Sequence, residues 1–316
     1  MSLKTNFGFA LRVKLKIIWD ESTHLSRKMG VTSMSEPEID LELLTRRPTL
    51  ADISPKKYNK RRRLIETFLA VGVPASLIAL WQVGFHFEWI DNRFYASPWE
   101  IVTSEKLREA ELWSEIWTSV QRMLKGFFAG SLLGILLGVL MGVSRLIRAA
   151  LDSLLTALYT VPKLALIPVF LTLFGFGDAP RIALIAVTVF FFVWISTMSA
   201  IMGVEDGYRE AALSFGANKR QIFRHVLFPG ALPQIFVGLR IAAGVAVLML
   251  IGVELVLASD GLGALIEKGR TLFIPELTYV GIAIAALLGL TFTYMVRVAG
   301  RFLVPWAPED QTPNQN

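Results

Sequence analysis

Residues Glu205–Pro233, EDGYREAALSFGANKRQIFRHVLFPGALP, form a polar, basic insert between two long apolar runs. A connection between membrane-crossing helices needs only a few residues, so a charged insert carrying its own helix signals is read as a docking element. Asp206 is a good N-cap, and Tyr208, Ala211, Ala212 and Phe215 then fall at i, i+3, i+4 and i+7, one apolar helical stripe. Gly216 is placed to end that helix, because glycine takes the left-handed conformation at little steric cost. Asn218 with Gln221 three residues on is a capping-box arrangement that restarts a helix, its apolar pair Ile222–Phe223 recurring at Val226–Leu227. Pro229 and Pro233 are expected to end it. Arg209, Lys219, Arg220 and Arg224 stand available to acidic partners.

The flanking chain explains why such an insert exists. At 316 residues, 53% hydrophobic, with mean hydropathy +0.52, the composition is too apolar for an ordinary soluble domain. Six runs are long enough for a hydrocarbon core of about 30 Å: Leu64–Phe87, Met123–Val143, Leu151–Phe174, Arg181–Met202, Ala231–Ala258 and Leu277–Val296. None alternates with period two over ten-residue segments, so a membrane barrel is excluded. The expected fold class is an all-α integral membrane protein with about six transmembrane helices.

The net charge of +6 is a topology signal rather than a nucleic-acid footprint. Lys56, Lys57, Lys60 and Arg61–Arg63 precede the first run, Arg145 and Arg148 separate the second from the third, and Arg297 and Arg301 close the sixth. If the spans alternate, all fall on one side, which puts the N-terminus, the insert and the C-terminus in the cytoplasm. Glu88–Trp117, between the first two runs, has seven acids against three bases, as an outside loop can. There is no cysteine, hence no disulfide or thiolate site. The three histidines, His24, His86 and His225, lie beyond helical reach of one another, which argues against a metal site.

The expected organisation is a cytoplasmic arm over residues 1–63, a membrane domain over 64–304 containing the 205–233 insert, and a cytoplasmic tail over 305–316. Met34 opens MSEPEIDLELL and would serve equally as a start, which leaves residues 1–33 open to reading as a gene-start artefact. Within the second span Gly126, Gly130, Gly134, Gly138 and Gly142 recur every four residues. They make a slowly winding groove for close helix packing, within this chain or against a second copy. Pro162 and Pro168 break the third span, since neither can donate to the carbonyls of Leu158 and Leu164, and discontinuous helices of this kind often line transport routes. Lys163 lies about 18 Å into that span, either stabilising a freed carbonyl or lining the path of a solute. Glu254, about 32 Å beyond Pro233, is read as a carboxylate at the outer interface, with a pathway role and a bridge to Lys163 as alternatives. Ser259–Pro275 is expected to be an outside loop.

Glu210-Ala211-Ala212, Gly216, Val226 and Phe228-Pro229 resemble the EAA signature of permease subunits of bacterial ABC importers. Val226 and Phe228 stand where isoleucine and leucine are usual. The resemblance extends from about Thr118 to Val296 through Val161-Pro162-Lys163, Phe174–Gly177 and Gly261-Leu262-Gly263, and is similar to the nitrate, taurine and alkanesulfonate branch. It implies a type I importer fold in the inner membrane, surrounded by lipid. The pathway would form between two permease subunits, read as two copies of this chain, with a periplasmic binding protein delivering the solute. Glu210, Ala211, Ala212, Gly216, Arg220 and Pro229 would belong to a coupling helix seated on a separate ATPase, which uses ATP and Mg; this chain is expected to bind no cofactor. In agreement, no G-x-x-x-x-G-K-[ST] loop occurs in the sequence, so the chain is not expected to be an enzyme. A single basic residue at mid-depth hints at an anionic solute. The competing reading is a stand-alone ion-coupled transporter or channel relaying charge through Lys163 and Glu254.

Overall fold

The computed structural model describes residues 55–257 and 259–307, with side chains from residue 64 onward. The expected arm over residues 1–54, including the alternative start at Met34, and the tail beyond Ala307 lie outside the described residues. The chain divides into two units, Met1–Gly72 and Val73–Asn316. Of the first, the described part is the beginning of helix α1 (Pro55–His86), where Leu64, Phe68 and Val71 are exposed.

The second unit begins with the rest of α1. It continues through a short helix α2 (Pro98–Thr103), opened by a capping box between Ser97 and Glu100, and a 3-10 turn (Glu105–Arg108). The long α3 (Ala110–Val143) follows, then α4 (Arg145–Thr160) and α5 (Ile167–Phe174), with a 3-10 turn (Lys163–Leu166) between them. After α6 (Asp178–Met202) come α7 (Asp206–Ser214), α8 (Lys219–Ile222), a π-helical turn (Phe223–Leu227) and α9 (Phe228–Leu257). The order ends with α10 (Leu262–Thr271) and α11 (Pro275–Leu303). Among the described residues, five helical stretches are long and apolar enough to cross a membrane. The segments Arg145–Thr160 and Lys163–Phe174, bent by 90°, supply a sixth crossing if counted as one broken span. The all-α, six-span expectation matches this architecture.

Packing centres on α3, α6 and α9. Phe127, Leu184, Val189, Ala242, Ala246 and Leu250 are buried together there, with Phe292 of α11 edge-on to Phe127 at 4.9 Å. Lipid tails are as apolar as leucine, so burial alone does not drive helices together in a bilayer; close backbone approach and dispersion do. The glycine repeat supplies that approach. A Cβ at Gly126, Gly134, Gly138 or Gly142 would lie 2.6–2.9 Å from Ile185, Val193, Thr197 or Ile201, and one at Gly130 would strike Ala186 and Val189. Both series step by four in the same direction, so α3 and α6 run parallel and in register for about 24 Å. The seam therefore lies within this chain, which resolves the choice left open by the sequence.

Several boundaries differ from expectation. Helix α3 begins at Ala110 rather than near Met123; its 34 residues make a rod of about 51 Å, longer than a hydrocarbon core. The expected loop 259–275 contains α10, because Leu262, Leu265, Ile266 and Gly269 form a buried helical stripe. Pro233 does not end a helix but lies inside α9. The Pro229 carbonyl, which an N–H at position 233 would have satisfied, accepts Trp306 Nε1 at 3.2 Å instead. Trp306, which makes that bond, lies in the expected tail.

Candidate functional site: the insert, the broken span and a buried ion cluster

The insert folds as two capped helices. Glu205 rather than Asp206 occupies the N-cap of α7, and its side chain makes no cap bond. At the other end Gly216 has φ 77°. The Gly216 N–H donates to Leu213 O at 2.9 Å and the Ala217 N–H to Ala212 O at 3.0 Å, the paired bonds of a Schellman motif. The predicted capping box is present: Gln221 N–H donates to Asn218 Oδ1 at 3.0 Å, and Asn218 N–H to Gln221 Oε1 at 2.8 Å. From Lys219 the chain then stays helical into α9, the Phe228 N–H reaching Phe223 O through the π turn.

Ile222 is buried at the root of the insert, and Phe223 packs on Ala200, Ile201, Ala231 and Ile235. The stripe of α7 faces the other way. Tyr208 is 63% and Phe215 92% exposed, and Glu210, Ala211 and Arg220 are exposed while Ala212 and Pro229 are half-buried. A small depression of about 260 Å³ lies beside Phe215, lined also by Ala212, Gly216, Gln221, His225 and Val226. Large aromatic side chains raised on a charged surface are the usual mark of a protein contact.

At the broken span, Pro162 is exposed and Lys163 half-buried. The Lys163 ammonium donates to Leu158 O at 3.4 Å and to Tyr159 O, and sits 5.0 and 4.7 Å from the ring centres of Tyr159 and Phe191. It thus caps carbonyls that the proline and the bend release, a favourable place for a cation at a helix C-terminus. Leu164 reaches α9 at Gly252, whose absent side chain leaves room for it.

Glu254 corrects two expectations. It is 0% exposed, so it is not an interfacial carboxylate, and its partners are not Lys163. Ser119 Oγ donates to both its oxygens (2.9 and 2.7 Å), the Gly263 N–H to Oε2 at 3.0 Å, and Arg122 Nη1 to Oε1 at 3.1 Å. Arg122, 2% exposed, also holds Asp178 through Nε at 2.7 Å and the carboxylate of Asp260. Arg181 meets Asp178 at 3.4 Å and Asp260 at 3.2 Å. Two arginines and three carboxylates, from α3, α6, α9 and the turn before α10, thereby form one cluster at the end of the bundle opposite the insert. Burial pushes the Asp260 carboxyl up, but bonds from Ser259 and Arg122 outweigh it and hold the group below the usual aspartate range. Sequence reasoning missed Ser119, Arg122, Asp178, Arg181 and Asp260. The available signal was that four of these charges and Glu254 lie near the same end of their respective spans.

Comparisons with known proteins agree with this geometry. The family described as "Binding-protein-dependent transport system inner membrane component" matches residues 130–307. The putative aliphatic sulfonates transport permease SsuC of Escherichia coli (strain K12) is 35% identical over 238 residues, 75% of this chain and 90% of that protein. The taurine transport system permease TauC of the same organism is 32% identical over 77% of this chain and 91% of its own length. Inward-facing structures of the MetNI methionine ABC transporter share the fold, with TM-scores of 0.53 and 0.54 over 66% of this chain, at 21% and 20% identity. The chain therefore belongs to the binding-protein-dependent transport inner membrane component family and is the multi-pass permease subunit of an ABC importer, not an enzyme, whose ATPase is a separate subunit.

Proposed function

We propose that this permease carries a small organic sulfonate, delivered by a periplasmic binding protein, between two copies of the chain in the bacterial inner membrane. The observation that carries the solute class is the similarity to the aliphatic sulfonate and taurine permeases over about three quarters of the chain. A cationic side chain at the broken span, Lys163, suits a sulfonate on electrostatic grounds. Pro162 and Lys163 border the pathway, while Glu254, enclosed by its own chain, belongs to the scaffold. The second copy would cover the exposed apolar residues of α4 and α5, Leu154, Leu158 and Val169 among them.

The insert faces the cytoplasm together with both chain ends and seats on the ATPase. Tyr208 and Phe215 anchor the contact, Glu210 on the opposite face of the same helix and Arg220 contribute charge to it, and Gly216 fixes the angle between the two short helices. Support comes from the exposed aromatic stripe, the Schellman turn and the basic charges on this side of the bundle. Nucleotide-driven closure of the ATPases would then rock the helices through the uninterrupted α8–α9 rod.

The test is uptake of labelled taurine and a short alkanesulfonate by cells carrying the whole transporter as their sole sulfonate system. Uptake that requires this chain and is competed by other sulfonates is expected. Accumulation of neither sulfonate, with saturable uptake of an unrelated solute, would overturn the solute class.

A further inference from the structure

Helix α4 shows three different sides. Ile147, Leu151 and Leu155 pack on Met141, Phe191 and Trp194. Leu154 and Leu158 are exposed on an apolar side, the one proposed above to meet the second copy. The third side is polar. Asp152, Ser153, Thr156 and Thr160, all exposed, fall within an arc of about 100° that otherwise holds only Arg145 and Ala149. Among the described residues the Asp152 carboxylate and the hydroxyls of Ser153 and Thr156 have no hydrogen-bond partner, whereas Thr160 Oγ1 donates to Ala157 O at 2.8 Å. The neighbouring α3 sets the contrast. Its outward residues Phe128, Leu132, Leu136 and Leu140 recur every four residues and are all apolar, as a lipid-facing side requires.

The polar side reaches too deep for lipid headgroups to account for it. Gly142 meets Ile201, so α4 starts at the end of the bundle that carries the insert. Its other end is fixed by Tyr159, whose ring lies 6.1 Å from both Phe191 and Phe192, near the middle of the 25 residues of α6. Unpartnered carboxylates and hydroxyls between those levels are costly in hydrocarbon and stable in water. We propose that Asp152, Ser153, Thr156 and Thr160 form the wall of a water-filled route that leads the solute from Lys163 to the insert's side of the membrane. The assignment rests on the reading of two copies with Lys163 beside the path. Lys163 stands at the head of the wall, its ammonium 5.0 Å from the centre of the Tyr159 ring. Below it the serine and threonine hydroxyls can donate to the oxygens of an anion. At the mouth Arg145 and Arg148 outnumber Asp152, which keeps the exit favourable to negative charge.

The chain contains no cysteine, so a single introduced thiol reports without background. Ser153→Cys, Thr156→Cys and Thr160→Cys, each in the assembled transporter in inside-out membrane vesicles, are treated with two charged reagents, sulfonatoethyl and trimethylammonioethyl methanethiosulfonate. Modification of this chain is read by mass. Leu132→Cys and Leu136→Cys on α3, also exposed in the fold but facing lipid, are the reference. The polar-side cysteines are expected to react at least about tenfold faster with both reagents, since only a thiolate reacts and apolar surroundings suppress it. Rates as slow as those at positions 132 and 136, or equally fast rates at all five positions, would overturn the wall. Should a serine or threonine variant fail to reach the membrane, Ala149→Cys in the same arc decides, and slow modification there overturns the proposal. Labelling requires no sulfonate, which keeps the two readings apart. Fast labelling in a transporter that takes up no sulfonate upholds the wall and sinks the solute class. Slow labelling with normal sulfonate uptake does the reverse.

Discussion

Arg122 touches three carboxylates while only 2% exposed, and one of them, Glu254, is wholly enclosed. In such a setting the cost of removing one partner exceeds the worth of the pair, because the survivor stays charged and buried. Arg122→Met should therefore destabilise the detergent-solubilised protein by about 3–5 kcal/mol, and adding Glu254→Leu should recover part of that loss. Thermal unfolding of the two variants measures it; a single variant as stable as wild type would show the cluster to be dispensable. The aspartates differ in kind. Asp178 and Asp260 have side chains 52% and 42% exposed, so water can replace what Arg122 supplies. The sequence reading of Glu254 as a carboxylate reaching water misjudged both its burial and its company. Linear spacing along one helix does not reveal that Arg122 of α3 and Asp178 of α6 arrive at the same level.

Among the elements, the α3–α6 pair is the one whose logic was most legible. A four-residue glycine repeat predicts a groove, and its partner presents side chains at the same period. The two glycines Gly134 and Gly244 separate the role of the groove from the general tolerance of glycine in membrane helices. A Cβ at Gly134 would stand 2.9 Å from Phe190 O and Val193 Cβ, whereas at Gly244 the nearest atom, Thr293 Oγ1, is 3.8 Å away. Gly134→Ala should cost about 1–3 kcal/mol through overpacking, while Gly244→Ala should be neutral or stabilising by up to about 1 kcal/mol from helix propensity. Denaturant unfolding of both variants checks the contrast, and equal behaviour would count against a packed seam. The proline expectation at α9 failed for a related reason. Proline removes one N–H, but whether a helix ends depends on whether the orphaned carbonyl finds another donor, and Trp306 arrives from 77 residues away.

On the scale of the whole molecule, the insert is a surface element on a rigid rod. Its α7 stripe was expected as one apolar helical face, and only the fold reveals that this face points outward, with Phe215 92% exposed. That orientation adds an exposed aromatic pair, Tyr208 and Phe215, to the coupling residues Glu210, Ala211, Ala212, Gly216, Arg220 and Pro229 in the proposed ATPase contact. Tyr208→Ser with Phe215→Ser should abolish co-purification of the ATPase while leaving the chain in the membrane. Glu210→Lys should weaken it less, by about 1–3 kcal/mol, as for a charge at the edge of an interface. Normal co-purification of the aromatic double variant would remove the docking assignment.

The six apolar runs, the break at Pro162, the capping box at Asn218 and the turn at Gly216 were all present in the chain as read in one dimension. Each depends on covalent geometry or on residues within about two helical turns, so local order is enough to specify it. The Arg122–Glu254 cluster, the Trp306 bond to Pro229 and the outward face of α7 were decided only in three dimensions. Each joins groups far apart in sequence, brought to one depth by packed helices, and the side a helix shows to its neighbours is set by all of them at once.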